Sequence, residues 1–438
     1  MGKLILAISL HILLLSALKF TAWPEDLLWP YLNLHGLNYY REIFLLYPPL
    51  YWLSLTVFLK LAGLSILSLK IATYAVVIAT DLLLWRAASR KLLPVLFYIP
   101  LQIFFEGNGL WVDQLLAPLL LAAYLFYQRR SFFFSGVFLG LALMSKQTAL
   151  YFLMVTGLML LSAKPFALSW FKFLGGLFFT LLVIIGYLAF NRELAGFFDN
   201  AVIYVLFFLS RQPLRVQWPS PGQALTVLIV VLPVVLTFWK RSNRSLALLT
   251  VSAALGAFNR FEYFHLQPAL PFLALYYNKN RRAAFPLYAL FLLLFLRFFL
   301  FNWGMENRFF TADITANAKK LTTYLKPGEQ TLIINTWDHY YFLTQTRPLN
   351  RYFVPSTPWS LDYDAIQEKI AKGIRRCRPP TIVYNPCFAV GKSCYFPAAV
   401  DKEIRENYRE VSKLADGTGI FQYNPMGLPQ KVQTENCQ

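Results

Sequence analysis

Charged side chains are scarce in this sequence of 438 residues, and acidic ones are the scarcer kind. Charged residues make up 14% of the chain, with 22 Asp and Glu against 41 Lys and Arg. A typical soluble domain carries about 25% charged residues, so this composition excludes an ordinary soluble protein. The basic residues lie in short runs, such as 86–91 and 279–282, between long apolar stretches. This pattern is typical of a polytopic membrane protein, whose charges belong in the loops between spans.

The net charge of +19 does not indicate a nucleic-acid partner. Much of the excess lies in short loops between apolar segments, where Lys and Arg meet anionic lipid headgroups and fix orientation. Hydrophobic residues make up 57% of the chain, which points to the lipid bilayer as the partner of its surface.

Cysteine is also scarce. All four cysteines lie near the C-terminus: Cys377, Cys387, Cys394 and Cys437. A disulfide between Cys387 and Cys394 would close a small loop and would place this region on an oxidising, non-cytosolic side. Free thiols are the alternative that the sequence leaves open. The spacing of the cysteines is not that of a zinc site.

The predicted fold is mostly α: a polytopic transmembrane bundle of about 11–13 helices followed by a small α/β soluble domain. We assign residues 1–302 to the transmembrane module and residues 303–438 to the soluble domain. In the second part, helices are expected at 313–324 and 362–376, and buried strands at 330–335 and 380–384. About twelve apolar segments precede residue 303: 4–20, 48–64, 66–85, 92–105, 109–127, 131–145, 148–163, 168–190, 221–239, 245–258, 264–277 and 283–302.

The distribution of basic residues predicts a cytoplasmic N-terminus and an extracytoplasmic C-terminal domain, in the plasma or inner membrane. The loops 21–47 and 191–220 are then outside as well. One conflict remains, because counting from the N-terminus also places the basic run 86–91 outside. One segment is therefore miscounted; the short segments are the first candidates, and the sequence does not identify which one it is.

The first outside loop holds two adjacent carboxylates, Glu25 and Asp26, directly after the first apolar segment. Like charges near a low-dielectric boundary raise one of the two pKa values, which suits a general base or half of a metal site. The alternative is structural: acids after Pro24 are favoured in the first turn of a helix.

Further short motifs follow the acidic pair along the chain. The relevant residues are Gly36, Tyr40, Glu42, Pro48, Pro49, Tyr51, Gly136, Gly140, Ala142, Lys146, Glu262, His265, Pro271, Tyr341 and Pro348. In this order the sequence resembles the GT-C superfamily of integral membrane glycosyltransferases, which includes protein O-mannosyltransferases and aminoarabinose transferases. That family usually has Asp first in its acidic pair, whereas here Glu25 is first, so both acids are kept as candidates.

The resemblance implies an inverting glycosyltransferase with a polyprenyl-phosphate-linked sugar as donor and a lipid, glycan or protein hydroxyl as acceptor. The loop carboxylate, Glu25 or Asp26, would act as general base. No cofactor is certain, and a divalent metal held by Glu262 and His265 is a weak alternative. The candidates for substrate and phosphate binding are Tyr40, Arg41, Glu42, Tyr47, Asp113, Lys146, Arg260, Tyr263 and His265; for the cations among them, lying at the lipid interface is the alternative.

Two other classes of function compete with this interpretation. A transporter or flippase of lipid-linked sugars would place its ionisable groups near the middle of the membrane and would often contain repeats. Here the acidic pair lies in a loop, and the sequence shows no internal repeat. A catalytically inactive membrane subunit is the other alternative, against which the intact acidic pair argues.

Overall fold

The chain forms a bundle of helices followed by a smaller region that contains a sheet, as seen in a computed structural model. The structure describes residues 1–161, 165–208, 217–240, 244–257, 260–304, 306–353, 364–390 and 393–424. The predicted fold class, a mostly α transmembrane bundle with a small α/β region, is confirmed. Helices suit the apolar segments because a helix satisfies its own backbone hydrogen bonds in lipid.

Most helices of the bundle follow the predicted apolar segments, whereas Pro24–Leu34 and Leu194–Phe197 form within the predicted loops 21–47 and 191–220. The helices are α1 (Gly2–Ser16), α2 (Pro24–Leu34), α3 (Leu50–Ala62), α4 (Ile66–Ala87), α5 (Leu93–Phe104), α6 (Val112–Gln128), α7 (Phe132–Leu143), α8 (Ala149–Leu160), α9 (Phe166–Phe190), α10 (Leu194–Phe197), α11 (Pro221–Thr237), α12 (Arg244–Ala254), α13 (Leu270–Lys279) and α14 (Arg281–Phe301). A π-helix spans Phe198–Phe208, and 3₁₀ turns span Leu255–Ala257 and Tyr263–Ala269. By length and composition α4, α9 and α14 are each sufficient to cross a membrane, and the other apolar helices are shorter.

Hydrogen bonds between loops show which helix ends share a face of the bundle. Asn108, after α5, donates to the carbonyls of Leu18 and Lys19, which follow α1. The amide of Lys19 donates to Asn302, at the end of α14. We call this the upper face. Arg86 and Arg90, at the end of α4, line one cleft with Arg129, at the end of α6, on the opposite, lower face.

Helix α3 does not cross between the two faces. At its start, the Leu50 amide donates to the carbonyl of Met144, which follows α7 on the upper face. At its end, α3 leads directly into α4. The start of α4 is also at the upper face, because Lys70 Nζ lies 5.5 Å from the centre of the Phe20 ring, which follows α1, and α4 then runs down to Arg86. The apolar segment 48–64 is therefore the one miscounted as a span. Without it, the run 86–91 shares the lower face with Arg129, and the conflict in the predicted topology disappears.

Two glycines allow α7 and α9 to touch along their backbones. A Cβ on Gly136 would lie 2.0 Å from the Phe173 carbonyl oxygen, and one on Gly176 would lie 1.9 Å from the Phe133 carbonyl oxygen. Neither distance is compatible with a side chain, so glycine is required at both positions. Small residues at such crossings allow the close van der Waals packing that holds membrane helices together.

The region after the bundle is a mixed sheet covered by helices. Its helices are α15 (Ala312–Leu321), α16 (Tyr340–Thr344), α17 (Asp364–Cys377) and α18 (Ala398–Asn407), and its strands are β1 (Gln330–Ile334), β2 (Arg347–Pro348), β3 (Thr381–Tyr384), β4 (Phe388–Val390), β5 (Ser393–Tyr395), β6 (Tyr408–Lys413) and β7 (Gly419–Tyr423). The strand order is β2-β1-β3-β7-β6, with β1 parallel to β2 and β3, while β4 and β5 form a separate hairpin. The two predicted helices and two predicted strands are confirmed as α15, α17, β1 and β3.

The cysteines of this region differ in bonding and in burial. Cys387 is disulfide-bonded, in agreement with the first alternative for it, and Cys377 is buried at the end of α17. The side chain of Cys394 and the whole of Cys437 lie outside the described residues. The assignment of the boundary at residues 302/303 stays a prediction.

The sheet-containing region rests on the upper face of the bundle, over the loop that follows α1. The Tyr31 hydroxyl of α2 donates to the Thr346 carbonyl at 3.4 Å, and its ring packs edge-on against Phe342 of α16. On the other side, Arg351 donates to the Asn200 side chain at 2.8 Å. The upper face thus lies between the bundle and the sheet.

Candidate functional site

The two loop carboxylates are placed by the first turn of α2. Trp23 is the N-cap and Pro24 the first helical residue, where its fixed φ and missing N–H are tolerated. Glu25 and Asp26 follow in the first turn, where the helix dipole favours negative charge. Both side chains are enclosed by the protein: Glu25 is 9% exposed and Asp26 0%. The structure therefore places a pair of buried acids at the upper face, in a helix that lies in the predicted outside loop.

The environment of Asp26 favours its protonated form. Burial raises the pKa of the Asp26 carboxyl well above its usual range, and the neighbouring Glu25 raises it further. The Tyr51 hydroxyl donates to Asp26 Oδ1 at 2.8 Å and opposes this pKa shift in part. A raised pKa makes the ionised carboxylate a stronger base, while it lowers the fraction of Asp26 that is ionised.

Three of the predicted phosphate-binding residues come together in a second buried cluster, which we call the Asp113 triad. Asp113 Oδ2 lies 2.6 Å from Lys146 Nζ and 2.8 Å from His265 Nδ1. Lys146 Nζ is 3.1 Å from His265 Nδ1. All three side chains are buried, although they come from α6, the turn after α7 and the turn before α13. A buried ammonium held by a carboxylate is a strong charge-assisted contact, and an ammonium with its three N–H groups is also a donor suited to phosphate.

Aromatic rings connect the segment of the acidic pair to the segments of the Asp113 triad. Trp23, next to the acids, packs against Trp111 and Phe264, in each case with ring centroids 5.1 Å apart. Trp111 lies two residues before Asp113, and Phe264 lies directly before His265 and against its ring, at 4.3 Å. The two polar clusters thus share one face of the bundle and one set of apolar neighbours.

The other predicted residues of the first loop form a separate group. The Tyr40 hydroxyl donates to the carbonyl of Tyr47 at 2.6 Å, which closes the loop on itself. Arg41 is about half exposed and lies 3.4 Å from Glu42, whose other carboxylate oxygen accepts the Asn38 amide at 2.8 Å. In the structure, Tyr40 and Glu42 shape the loop through these hydrogen bonds, and the Tyr47 ring packs edge-on against Trp111 at 6.1 Å.

Glu193 belongs to this loop group, although no motif in the sequence singles it out. It precedes α10, is 3% exposed, and accepts a hydrogen bond from the Tyr39 backbone. Burial and, to a lesser extent, the negative Glu42 raise the pKa of the Glu193 carboxyl to about 7, against the opposing effects of the Tyr39 backbone and Arg41. A single acid in a loop carries no signal that reveals its burial, so only the packing of α10 on the first loop identifies it.

The raised pKa of Glu193 predicts that stability falls as the pH rises. The folded protein holds this proton more tightly than the unfolded chain, so the contribution is full below pH 4.5 and is lost as the pH rises through about 7. We expect the free energy of unfolding of the wild type to fall relative to Glu193→Gln between pH 5 and pH 8, by at most about 3 kcal/mol, and its thermal unfolding midpoint to fall with it. Glu406→Gln, at a 58% exposed side chain, is the control that should show no such trend. Parallel curves for wild type and Glu193→Gln would contradict the prediction.

The residues predicted around the turn before α13 do not all face one site. Arg260 Nε and its terminal nitrogen both lie 2.9 Å from Glu262 Oε1, so Arg260 is engaged by that acid. Tyr263 packs against Phe104 and Phe105 of the α5 end. The His265 side chain contacts Asp113 instead, with Nδ1 at 2.8 Å from Asp113 Oδ2. The two candidate metal ligands thus have different partners, and the described residues contain no group of three or more His, Cys, Asp and Glu suited to a metal ion.

Comparisons with known proteins show the fold. No family model matches the sequence, and no curated protein matches it. A solved structure with a similar fold is ArnT from Cupriavidus metallidurans bound to undecaprenyl phosphate, at 12% identity and a TM-score of 0.59. The similarity covers 98% of this chain and 99% of that one. ArnT is a GT-C glycosyltransferase, so the GT-C-like fold implied by the motifs is confirmed.

Proposed function

We propose that this chain transfers a sugar from a polyprenyl-phosphate donor to an acceptor hydroxyl at the upper face of the bundle. The observation that carries the proposal is the pairing of two buried polar clusters on that face: an acidic pair and a triad with a buried ammonium. The likeness to ArnT over nearly the whole chain supports it, because the structure of that protein holds undecaprenyl phosphate.

The proposed reaction uses one cluster for the acceptor and the other for the leaving group. The carboxylate of Glu25 or Asp26 takes the proton of the acceptor hydroxyl, whose oxygen attacks the anomeric carbon. The bond from that carbon to the phosphate oxygen breaks with inversion, and the polyprenyl phosphate leaves with the electron pair. Lys146 stabilises the negative charge that develops on the phosphate, while Asp113 holds Lys146 and His265 in place.

We also propose that the upper face is extracytoplasmic and the N-terminus cytoplasmic. The basic residues at the ends of α4 and α6 lie on the lower face: Arg86, Arg90, Arg129 and Arg130. The basic turn at 279–282 follows α13, which runs from His265 on the upper face to the lower one. Cytoplasmic loops are enriched in Lys and Arg, so the lower face matches the cytoplasm.

A donor assay tests the proposal. The purified protein would be incubated with radiolabelled sugars on polyprenyl phosphate, together with a lipid extract as acceptor, and both released polyprenyl phosphate and transferred sugar would be measured. Consumption of one donor with equal amounts of both products supports a transferase. If no donor is consumed, but the labelled lipid crosses the bilayer of proteoliposomes that contain the protein, the flippase alternative replaces it. A divalent metal stays a prediction, tested by adding EDTA to the same assay.

A further inference from the structure

Three buried polar side chains lie among the apolar residues of α1, α4 and α5. His11 Nδ1 is 2.9 Å from Asp81 Oδ2, and His11 Nε2 is 3.0 Å from Gln102 Oε1. All three residues are 0% exposed. Ionisable groups in membrane helices are rare because burying them there is costly, and those that occur usually have a function.

The chain of hydrogen bonds continues from Gln102 to the turn that leads into α6. Gln102 Nε2 donates to the Gly107 carbonyl at 2.8 Å, and Gln114 Nε2 donates to the same oxygen at 2.8 Å. A Cβ on Gly107 would lie 2.1 Å from Gln102 Nε2, so only glycine lets the amide reach this carbonyl. The turn 105–111 is thus held in place directly before Trp111 and Asp113.

The backbone at Gln102 also contacts the segment that carries His265. Gln267 Nε2 donates to the carbonyls of Gln102 and Phe105, at 2.8 Å in both cases. Gln267 lies two residues after His265. The Gln102 side chain therefore connects the His11–Asp81 pair to the turn before Asp113, while the Gln102 backbone contacts the segment that carries His265.

The hydrogen-bond directions define the charge of the pair. Because the Gln102 amide nitrogen donates to Gly107, its oxygen accepts, and His11 Nε2 must be the donor. One further proton lies between His11 Nδ1 and Asp81. Whether the imidazole or the carboxyl carries it, the pair is neutral overall. An Asn at position 81 would reproduce this arrangement, since its amide can donate to Nδ1.

We propose that His11 and Asp81 are positioning residues, which act through Gln102 to hold the Asp113 triad in its reactive geometry. The consequence for turnover rests on the proposed function. A displacement of about 1 Å at a reacting centre lowers a rate by about 10²-fold. Because the triad contacts the group whose charge develops in the transition state, its displacement lowers kcat more than it raises KM for the lipid donor.

The test compares Asp81→Leu with Asp81→Asn in the full-length protein. We expect Asp81→Leu to lower kcat about 10²-fold with KM for the donor changed less than about 3-fold. We expect Asp81→Asn to retain most of the activity, because it restores the hydrogen bond to His11. Thr156→Val, which removes a buried hydroxyl of α8 outside this chain of hydrogen bonds, is the control for generic loss of a buried polar group.

Hydrogen exchange gives a readout that does not depend on the reaction. We expect Asp81→Leu to speed amide exchange in residues 105–114, with Asp81→Asn and Thr156→Val close to the wild type. If Asp81→Leu does not fold, Gln102→Leu replaces it in the same comparison. Loss of activity in a folded Asp81→Asn would overturn the positioning role, and so would unchanged exchange in Asp81→Leu. If the wild type transfers no sugar, the proposed function fails, whereas the exchange experiment still decides the positioning.

Discussion

Glu25→Gln is expected to lower sugar transfer by about 10²- to 10⁴-fold, the range that a positioned general base contributes. Of the two acids, Glu25 is the one whose side chain keeps some contact with solvent, at 9% against 0% for Asp26. An acceptor hydroxyl must reach the base, which favours Glu25. The measurement is kcat with a consumed donor, in protein whose elution and unfolding midpoint match the wild type.

Asp26→Asn tests the second acid in the same assay. Its amide oxygen can still accept from the Tyr51 hydroxyl, so we expect the loop to stay in place and the loss of transfer to be smaller than for Glu25→Gln. Glu306→Gln is a matched control, because Glu306 is 77% exposed and pairs with Lys19 at the same face. If Asp26→Asn abolishes transfer while Glu25→Gln does not, Asp26 is the general base and Glu25 is not. If both variants are fully active, the acids are structural.

Most of the helices, and the strands β1 and β3, are predictable because their signals are local. An apolar run of helix length shows in a short window, and so does a short buried strand. Whether a run crosses the membrane is not a local property. The segment 48–64 is as apolar as its neighbours, and tertiary contacts such as that between Leu50 and Met144 show that α3 stays at the upper face.

In the candidate site, too, single residues are predictable from the sequence, whereas their contacts are not. Asp113, Lys146 and His265 were each predicted, but nothing in a single sequence pairs residues 33 and 119 positions apart. His11 and Asp81 each carry a weaker signal: an ionisable side chain inside an apolar segment. That signal marks a residue as unusual without naming its partner, and the partner determines the chemistry. Glu193 carries no signal, since acids are ordinary in loops.

Lys146→Met is expected to cause a large loss of stability. Asp113 and Lys146 are 1% and 5% exposed, so removing the ammonium leaves a buried carboxylate with His265 alone. Removing one partner of a buried ion pair lowers the free energy of unfolding by about 3–5 kcal/mol. The measurement is the unfolding midpoint in detergent. Lys19→Met is the matched control, because its pair with Glu306 is exposed and contributes about 0–1 kcal/mol.

A double variant separates stability from phosphate binding. Replacing both members of a buried ion pair by apolar residues is often neutral, so Asp113→Leu combined with Lys146→Met should recover much of the lost stability. It restores no cation, so inhibition by added polyprenyl phosphate should stay weak and transfer should stay low. Recovery of both stability and transfer would mean that the Asp113 triad holds helices together and does not contact the leaving phosphate. Recovery of stability alone is the outcome that a phosphate-binding ammonium requires.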